Sequence, residues 1–226
     1  MNADTRTRIL EAAIELLTRG GRDAVTTRAV SEAAGVQAPT LYRMFTDKGG
    51  LLEAVAEHGF ALYLGAKTVR PAGHDPVENL RTGWDLHVGF GLAYPAIYKL
   101  MYGDPNPGAQ ASAAAHSFAL LKEHVHQVAV DGRLRVSEQR AADLIHASAC
   151  GTVLTLLAHT EKDMAVSRLA REAVLSAITT EMSTLTEPGV AAAAVTLQSL
   201  LPDATSLSGA ERTLLTEWLD RLAKDG

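Results

Sequence analysis

Residues 26–48, Thr-Thr-Arg-Ala-Val-Ser-Glu-Ala-Ala-Gly-Val-Gln-Ala-Pro-Thr-Leu-Tyr-Arg-Met-Phe-Thr-Asp-Lys, constrain the fold more than any other stretch of this chain. They hold two short helical patterns that meet at Gly35-Val36. A hydroxyl of Thr26 or Thr27 caps the first pattern, and Ala29, Val30, Ala33 and Ala34 give it an apolar face. Gly35 supplies the positive φ that ends it, and Val36 fills the space between the two helices. The second helix begins near Gln37 with Pro39 in its first turn, where a missing N–H costs nothing. Its inner side is Leu41 and Phe45, which leaves Gln37, Thr40, Tyr42 and Arg43 facing out. Amides, hydroxyls and a guanidinium on a short second helix suit the reading of a DNA groove, whereas an ordinary solvated face is richer in Glu and Lys. The pattern is a helix-turn-helix.

Around it the chain carries a wider set of matching parts. Ile9 to Leu17 is an amphipathic first helix, followed by Thr26-Thr27, Ala34-Gly35-Val36, Thr40-Leu41-Tyr42, Phe45, Asp47-Lys48 and Leu51-Leu52. In order and spacing these resemble the DNA-binding domain of the tetracycline-repressor-like (TetR) transcriptional regulators over roughly the first 55 residues. Gly49-Gly50 departs from the pattern, and the fourth helix is expected to start more loosely there. The resemblance implies that Arg28 reaches a base edge and that Gln37, Ala38, Thr40 and Arg43 sit where bases are read, with Pro39 against a thymine methyl. It gives Thr27, Tyr42 and Lys48 to phosphate contacts, which fix register without reading sequence.

Composition bounds the rest. With 226 residues, 47% of them apolar, there is material for a small domain and a larger one with its own core. The N-terminus lacks the layout of a signal peptide and no apolar run approaches a membrane span, so a cytoplasmic protein without a membrane partner is expected. One cysteine, Cys150, excludes an internal disulfide framework. The net charge of −5 is unevenly spread. Residues 1–50 carry seven basic and six acidic groups, and the acidity lies in the remainder. So nearly neutral a segment predicts modest non-specific affinity for DNA.

Helical periodicity runs throughout, with helices expected at 4–19, from Asp47 to about Val69, from Pro76 onward, at 109–131, 138–160, 166–184, 190–201 and 208–224. Arg70-Pro71-Ala72-Gly73 breaks the fourth, Pro95 interrupts the fifth, and 104–108 is a loop. Strand alternation is lacking, so the fold class is all-α. The resemblance implies a three-helix DNA-binding domain over 1–50, then a helical ligand-binding and dimerisation domain over 51–226.

Two candidate regions lie in the second domain. Trp84, His87, Phe90, Tyr94, Tyr98, Met101 and Tyr102 concentrate aromatics in a chain with only 5% of them, and suit either a small organic effector or core packing. The helix at 138–160 is rich in small and apolar residues and must be covered on most sides. Ala147, Cys150, Gly151 and Leu154, with Ala177 and Ile178 of the next long helix, are its candidate dimer contacts; burial within one subunit is the alternative. The resemblance implies a homodimer on a palindromic operator of double-stranded DNA.

Other classes fare worse. His124 and His126, two apart, point different ways, and His116 and His124 could share a face but lack a Cys-rich or carboxylate-rich set to complete a metal site. A metal-responsive regulator and a regulator with no effector are the alternatives. There is no phosphate loop, nucleophile elbow or metal-hydrolase helix, so no cofactor, metal or catalytic residue is expected.

Overall fold

The computed structural model describes residues 2–65, 75–103, 111–180, 190–203 and 206–224. Within them the chain forms α1 (Asn2–Ala24), α2 (Thr27–Ala34), α3 (Ala38–Met44), α4 (Lys48–Gly65), α5 (Pro76–Ala93), α6 (Pro95–Tyr102), α7 (Ala111–Val130), α8 (Glu138–Ala158), α9 (Met164–Ile178), α10 (Val190–Leu200) and α11 (Gly209–Lys224). Among the described residues, β structure is confined to a bridge between Leu134 and Thr179. The break at Arg70-Pro71-Ala72-Gly73 and the loop at 104–108 lie outside the described residues.

Caps account for most boundaries. Gly21, at φ 68° and ψ −167°, interrupts α1 where the double glycine predicts an end. Asp75 Oδ1 accepts from Val77 N (2.8 Å) at the start of α5, and Pro95 opens α6 directly after it. Ser208 and Glu211 satisfy each other reciprocally at α11: Ser208 N donates to the carboxylate (2.8 Å) and Glu211 N to the hydroxyl (3.3 Å). The ninth helix departs from expectation. Periodicity runs to 184, but Thr179 turns extended and the strand-like segment pairs with 133–135, through Arg135 N to Ile178 O (2.8 Å) and Thr180 N to Arg133 O (2.9 Å). Tertiary hydrogen bonds end α9 before its propensity does.

The chain divides into two compact units. The first holds α1 to α4, the end of α5 from Gly89, α6, and the start of α7 as far as Ser117. It reaches beyond the expected limit at residue 50, because Leu51, Leu52 and Val55 of α4 and Ile97, Tyr98 and Leu100 of α6 are buried where α1, α4 and α6 pack. Gly59 permits that packing: a Cβ there would stand 2.5 Å from Ile97 Cδ1.

The second unit holds the rest of α5 and α7 with α8 to α11. Ala141, Ala142, Ile145, Ala149, Val153 and Leu156 form the buried side of α8, and Leu175 and Ile178 that of α9. Trp84 Nε1 of α5 donates to the buried Ser167 Oγ of α9 (3.0 Å), a bond worth about 0.5–1.5 kcal/mol net. Arg81 with Glu172 (3.0 Å) and Arg171 with Asp85 (2.6 Å) tie the same two helices at the surface, where ion pairs contribute little. By length and composition α8 alone among the described helices passes as a membrane span, which amends the expectation that no such run exists. Its first turns carry Glu138, Arg140 and Asp143, and it packs against α9 within the second unit.

Candidate nucleic-acid interface

The helix-turn-helix is built by local chemistry. Thr26, extended at φ −109°, accepts from Ala29 N through its hydroxyl (3.2 Å) and starts α2. Gly35 ends that helix at φ 63°, and Val36 N returns to Ser31 O (2.9 Å), a closure that an L side chain at 35 would strain. α3 then runs for seven residues, with Gln37 at its N-cap and Pro39 in its first turn. Leu41 and Phe45 are buried and lock α3 onto the unit, and the Arg6 guanidinium of α1 lies 5.4 Å from the Phe45 ring centroid. Sequence reading did not find the Arg6 contact, since nothing in a single arginine announces which ring it will cover.

With its inner side fixed, α3 turns polar groups to solvent. Gln37, Pro39, Tyr42 and Arg43 are exposed, Tyr42 at 55%, while Ala38 and Thr40 are half-buried. Arg28 is exposed and Thr27 half-buried in the first turn of α2, and Lys48 is exposed at the first position of α4. None of the nine candidate DNA residues belongs to the core. The glycine pair expected to loosen α4 is compensated by Asp47, whose Oδ1 accepts from Gly50 N (2.8 Å).

The aromatic candidates fall on both sides of the division into two units. Trp84 and His87 belong to the second unit, and Phe90, Tyr94, Tyr98, Met101 and Tyr102 to the first. Trp84 is spent on Ser167, and Phe90, Tyr98 and Met101 are core residues, with Tyr98 wholly buried and its ring centroid 4.7 Å from that of Tyr102. Tyr94 is exposed and tilts against Phe90. An open cleft of about 430 Å³ in the first unit is lined by other residues, among them Leu17, Arg22, Pro95 and Lys99 of α1 and α6. No local signal marks it, because it arises where two distant segments meet.

The dimer candidates also divide. Ala147, Gly151 and Leu154 of α8 and Ala177 of α9 are exposed, in line with Leu144 on α8 and with Val166 and Leu169 on α9. Ile178, at 0% exposure, belongs to its own unit's core, and its carbonyl holds Arg135 N. Cys150 is half-buried and turned toward α5: its Sγ lies 3.8 Å from His87 Nε2 and 3.8 Å from His146 Nε2. The spacing of His146 and Cys150, four apart on one helix, was a signal the sequence offered for that grouping. The other histidines go separate ways: His116 meets the Phe60 ring, burial holds His124 below its usual range, and His126 Nδ1 faces Glu138 (3.2 Å).

Known proteins share this geometry. Residues 9–55 match the family model of bacterial regulatory proteins, tetR family. The HTH-type transcriptional repressor KstR of Rhodococcus jostii is 37% identical over 78 residues, 34% of this chain and 36% of that protein. The tetracycline repressor protein class C of Escherichia coli is 44% identical over 57 residues, 25% of this chain and 26% of its own. The chain thus spans about a third or less of the length of these curated relatives. Solved structures extend the likeness at the level of fold. A protein of unknown function from Rhodococcus sp. RHA1 superposes with a TM-score of 0.64 at 25% identity, covering 78% of this chain and 96% of the other. A variant TetR from Acinetobacter baumannii AYE in complex with minocycline gives a TM-score of 0.57 at 22% identity, covering 75% and 93%. Residues 9–55 thus carry the DNA-binding motif of the tetR family of bacterial regulatory proteins, in a chain whose fold is all-α.

Proposed function

We propose that the protein is a sequence-specific, DNA-binding transcriptional regulator: a homodimeric repressor that a small organic ligand releases from a palindromic operator. The observation that carries this is the two-sided build of α3, with Leu41 and Phe45 fixed in the core and Gln37, Tyr42 and Arg43 turned to solvent. In this reading Arg28 and the α3 residues Ala38, Pro39, Thr40 and Arg43 meet base edges, with Gln37 at the helix N-cap. Thr27, Tyr42 and Lys48 hold phosphates and fix the register. The repressors named above resemble the chain over 78 and 57 residues.

Dimerisation rests on the exposed apolar residues of α8 and α9, which suit a second copy laid across a two-fold axis. Two recognition helices about 34 Å apart would then enter successive major grooves of one duplex, in the cytoplasm where that DNA is found. Release by a ligand finds support in the minocycline complex of the Acinetobacter protein that shares the fold. A hundredfold loss of DNA affinity needs about 2.7 kcal/mol of coupling, within the ordinary allosteric range. A regulator without an effector is the second reading, favoured by the burial of Phe90, Tyr98 and Met101 as core residues.

Selection from a random duplex pool at fixed salt tests the proposal. Enrichment of one palindromic motif is the expected result. A pool left unenriched, with equal affinity for all sequences, overturns the reading.

A further inference from the structure

The second unit holds a cluster that DNA recognition does not use. Cys150, the chain's single cysteine, stands on α8 one turn after His146, and His87 approaches from α5. Its Sγ lies 3.8 Å from His87 Nε2, 3.8 Å from His146 Nε2 and 3.9 Å from His146 Nδ1, within reach of S–H···N contacts. The His87 and His146 ring centroids are 6.4 Å apart at 73°, and the Phe118 ring of α7 backs His146 edge-on at 5.3 Å. Cys150 is half-buried, and its contact with His87 is part-buried. Among the described residues, no group of three or more His, Cys, Asp or Glu is arranged to hold a metal ion.

We infer that Cys150 is a covalent modification site for soft carbon electrophiles of the α,β-unsaturated carbonyl class, with His146 and His87 as its activating pair. A thiol is a weak nucleophile until a neighbouring base takes its proton, and an imidazole in contact with sulfur is the usual base. Burial keeps both rings neutral at pH 7 and makes each a weaker base than an exposed imidazole: His87 is pushed down to about 4 by desolvation and then by His146, and His146 is lowered by desolvation. In the reaction the thiol proton passes to His146, and Sγ bonds to the β-carbon. The C=C pair shifts toward the carbonyl oxygen as an enolate, and the imidazolium returns its proton to the α-carbon. Nothing is oxidised or reduced. His87, in its Nε2–H tautomer, donates to the thiolate while it lasts. The site stands whether or not the chain reads DNA.

The test is the rate of adduct formation with N-ethylmaleimide at pH 7, read by intact mass on the native full chain and on the same chain unfolded in urea. Cys150→Ser identifies the adduct position. The expected result is one adduct, formed at least about tenfold faster in the native chain than in the unfolded one. His146→Gln should slow it by up to about a hundredfold. His87→Gln should slow it less, and His146→Gln should also move the rate–pH midpoint upward. A native rate at or below the unfolded rate overturns the proposal without reference to any variant. So does a native rate that His146→Gln leaves unchanged in a chain whose circular dichroism is intact.

Discussion

The exposed side of α3 and the exposed sides of α8 and α9 both face water, yet they carry opposite chemistry. α3 presents an amide, a phenol and a guanidinium, from Gln37, Tyr42 and Arg43. α8 and α9 present Leu144, Leu154, Val166 and Leu169, the last at 72% exposure. Their inner sides are alike, since each is closed by ordinary aliphatic and aromatic packing. What differs is what the outer side asks for. Polar groups with fixed positions suit base edges and phosphates, and exposed apolar side chains suit another protein surface. Exposure by itself says nothing about partners; the chemistry of the exposed side does.

Substitutions test that contrast in order of expected effect. Phe45→Ala removes the anchor of α3 and should cost about 3–5 kcal/mol of stability together with operator binding, measured by thermal unfolding and a binding titration. Next comes pH. His87 titrates near 4 when folded and near 6.5 when unfolded, so the unfolded chain binds more protons between those values. Stability is therefore full above about 6.5 and falls as pH drops toward 4. Melting temperatures at pH 7 and 5 should show the loss, and His87→Gln should reduce it.

Leu169→Asp attacks the apolar side. It should weaken self-association about tenfold or more in sedimentation, from the burial of one leucine at about 1.5–3 kcal/mol. Monomer stability should stay within about 0.5 kcal/mol, because the side chain is already in water. Arg28→Ala should lower discrimination at one base pair by about 1–3 kcal/mol in competition binding, leaving self-association unchanged. Smallest is Gly50→Ala. Its Cβ would meet only Asp47 Oδ1 at 3.8 Å, so the gain in helix propensity should raise stability by about 0.5–1 kcal/mol in denaturant unfolding.

The two regions were unequally legible in the sequence. α2, α3 and their turn are specified by neighbours: Thr26 caps from three residues away, Gly35 supplies its own backbone conformation, and Leu41 and Phe45 are one helical turn apart. Local rules reach that far. The extent of the first unit was not legible, because α6 joins it through Gly59 and Ile97, and no local pattern pairs those residues. The end of α9 was hidden for the same reason: Thr179 leaves the helix to bond with 133–135. The small residues around Cys150 suggest a dimer contact, while its sulfur turns to a histidine on another helix. Composition near a residue indicates how closely a helix can approach, and the direction of one side chain depends on the partner that arrives.

As a dimer, the proposed regulator would set two chains on the enriched duplex, which native mass spectrometry tests most directly. The predicted result is two chains per duplex for the wild type and loss of that species for Leu169→Asp. One chain per duplex, on a site without two-fold symmetry, would contradict it.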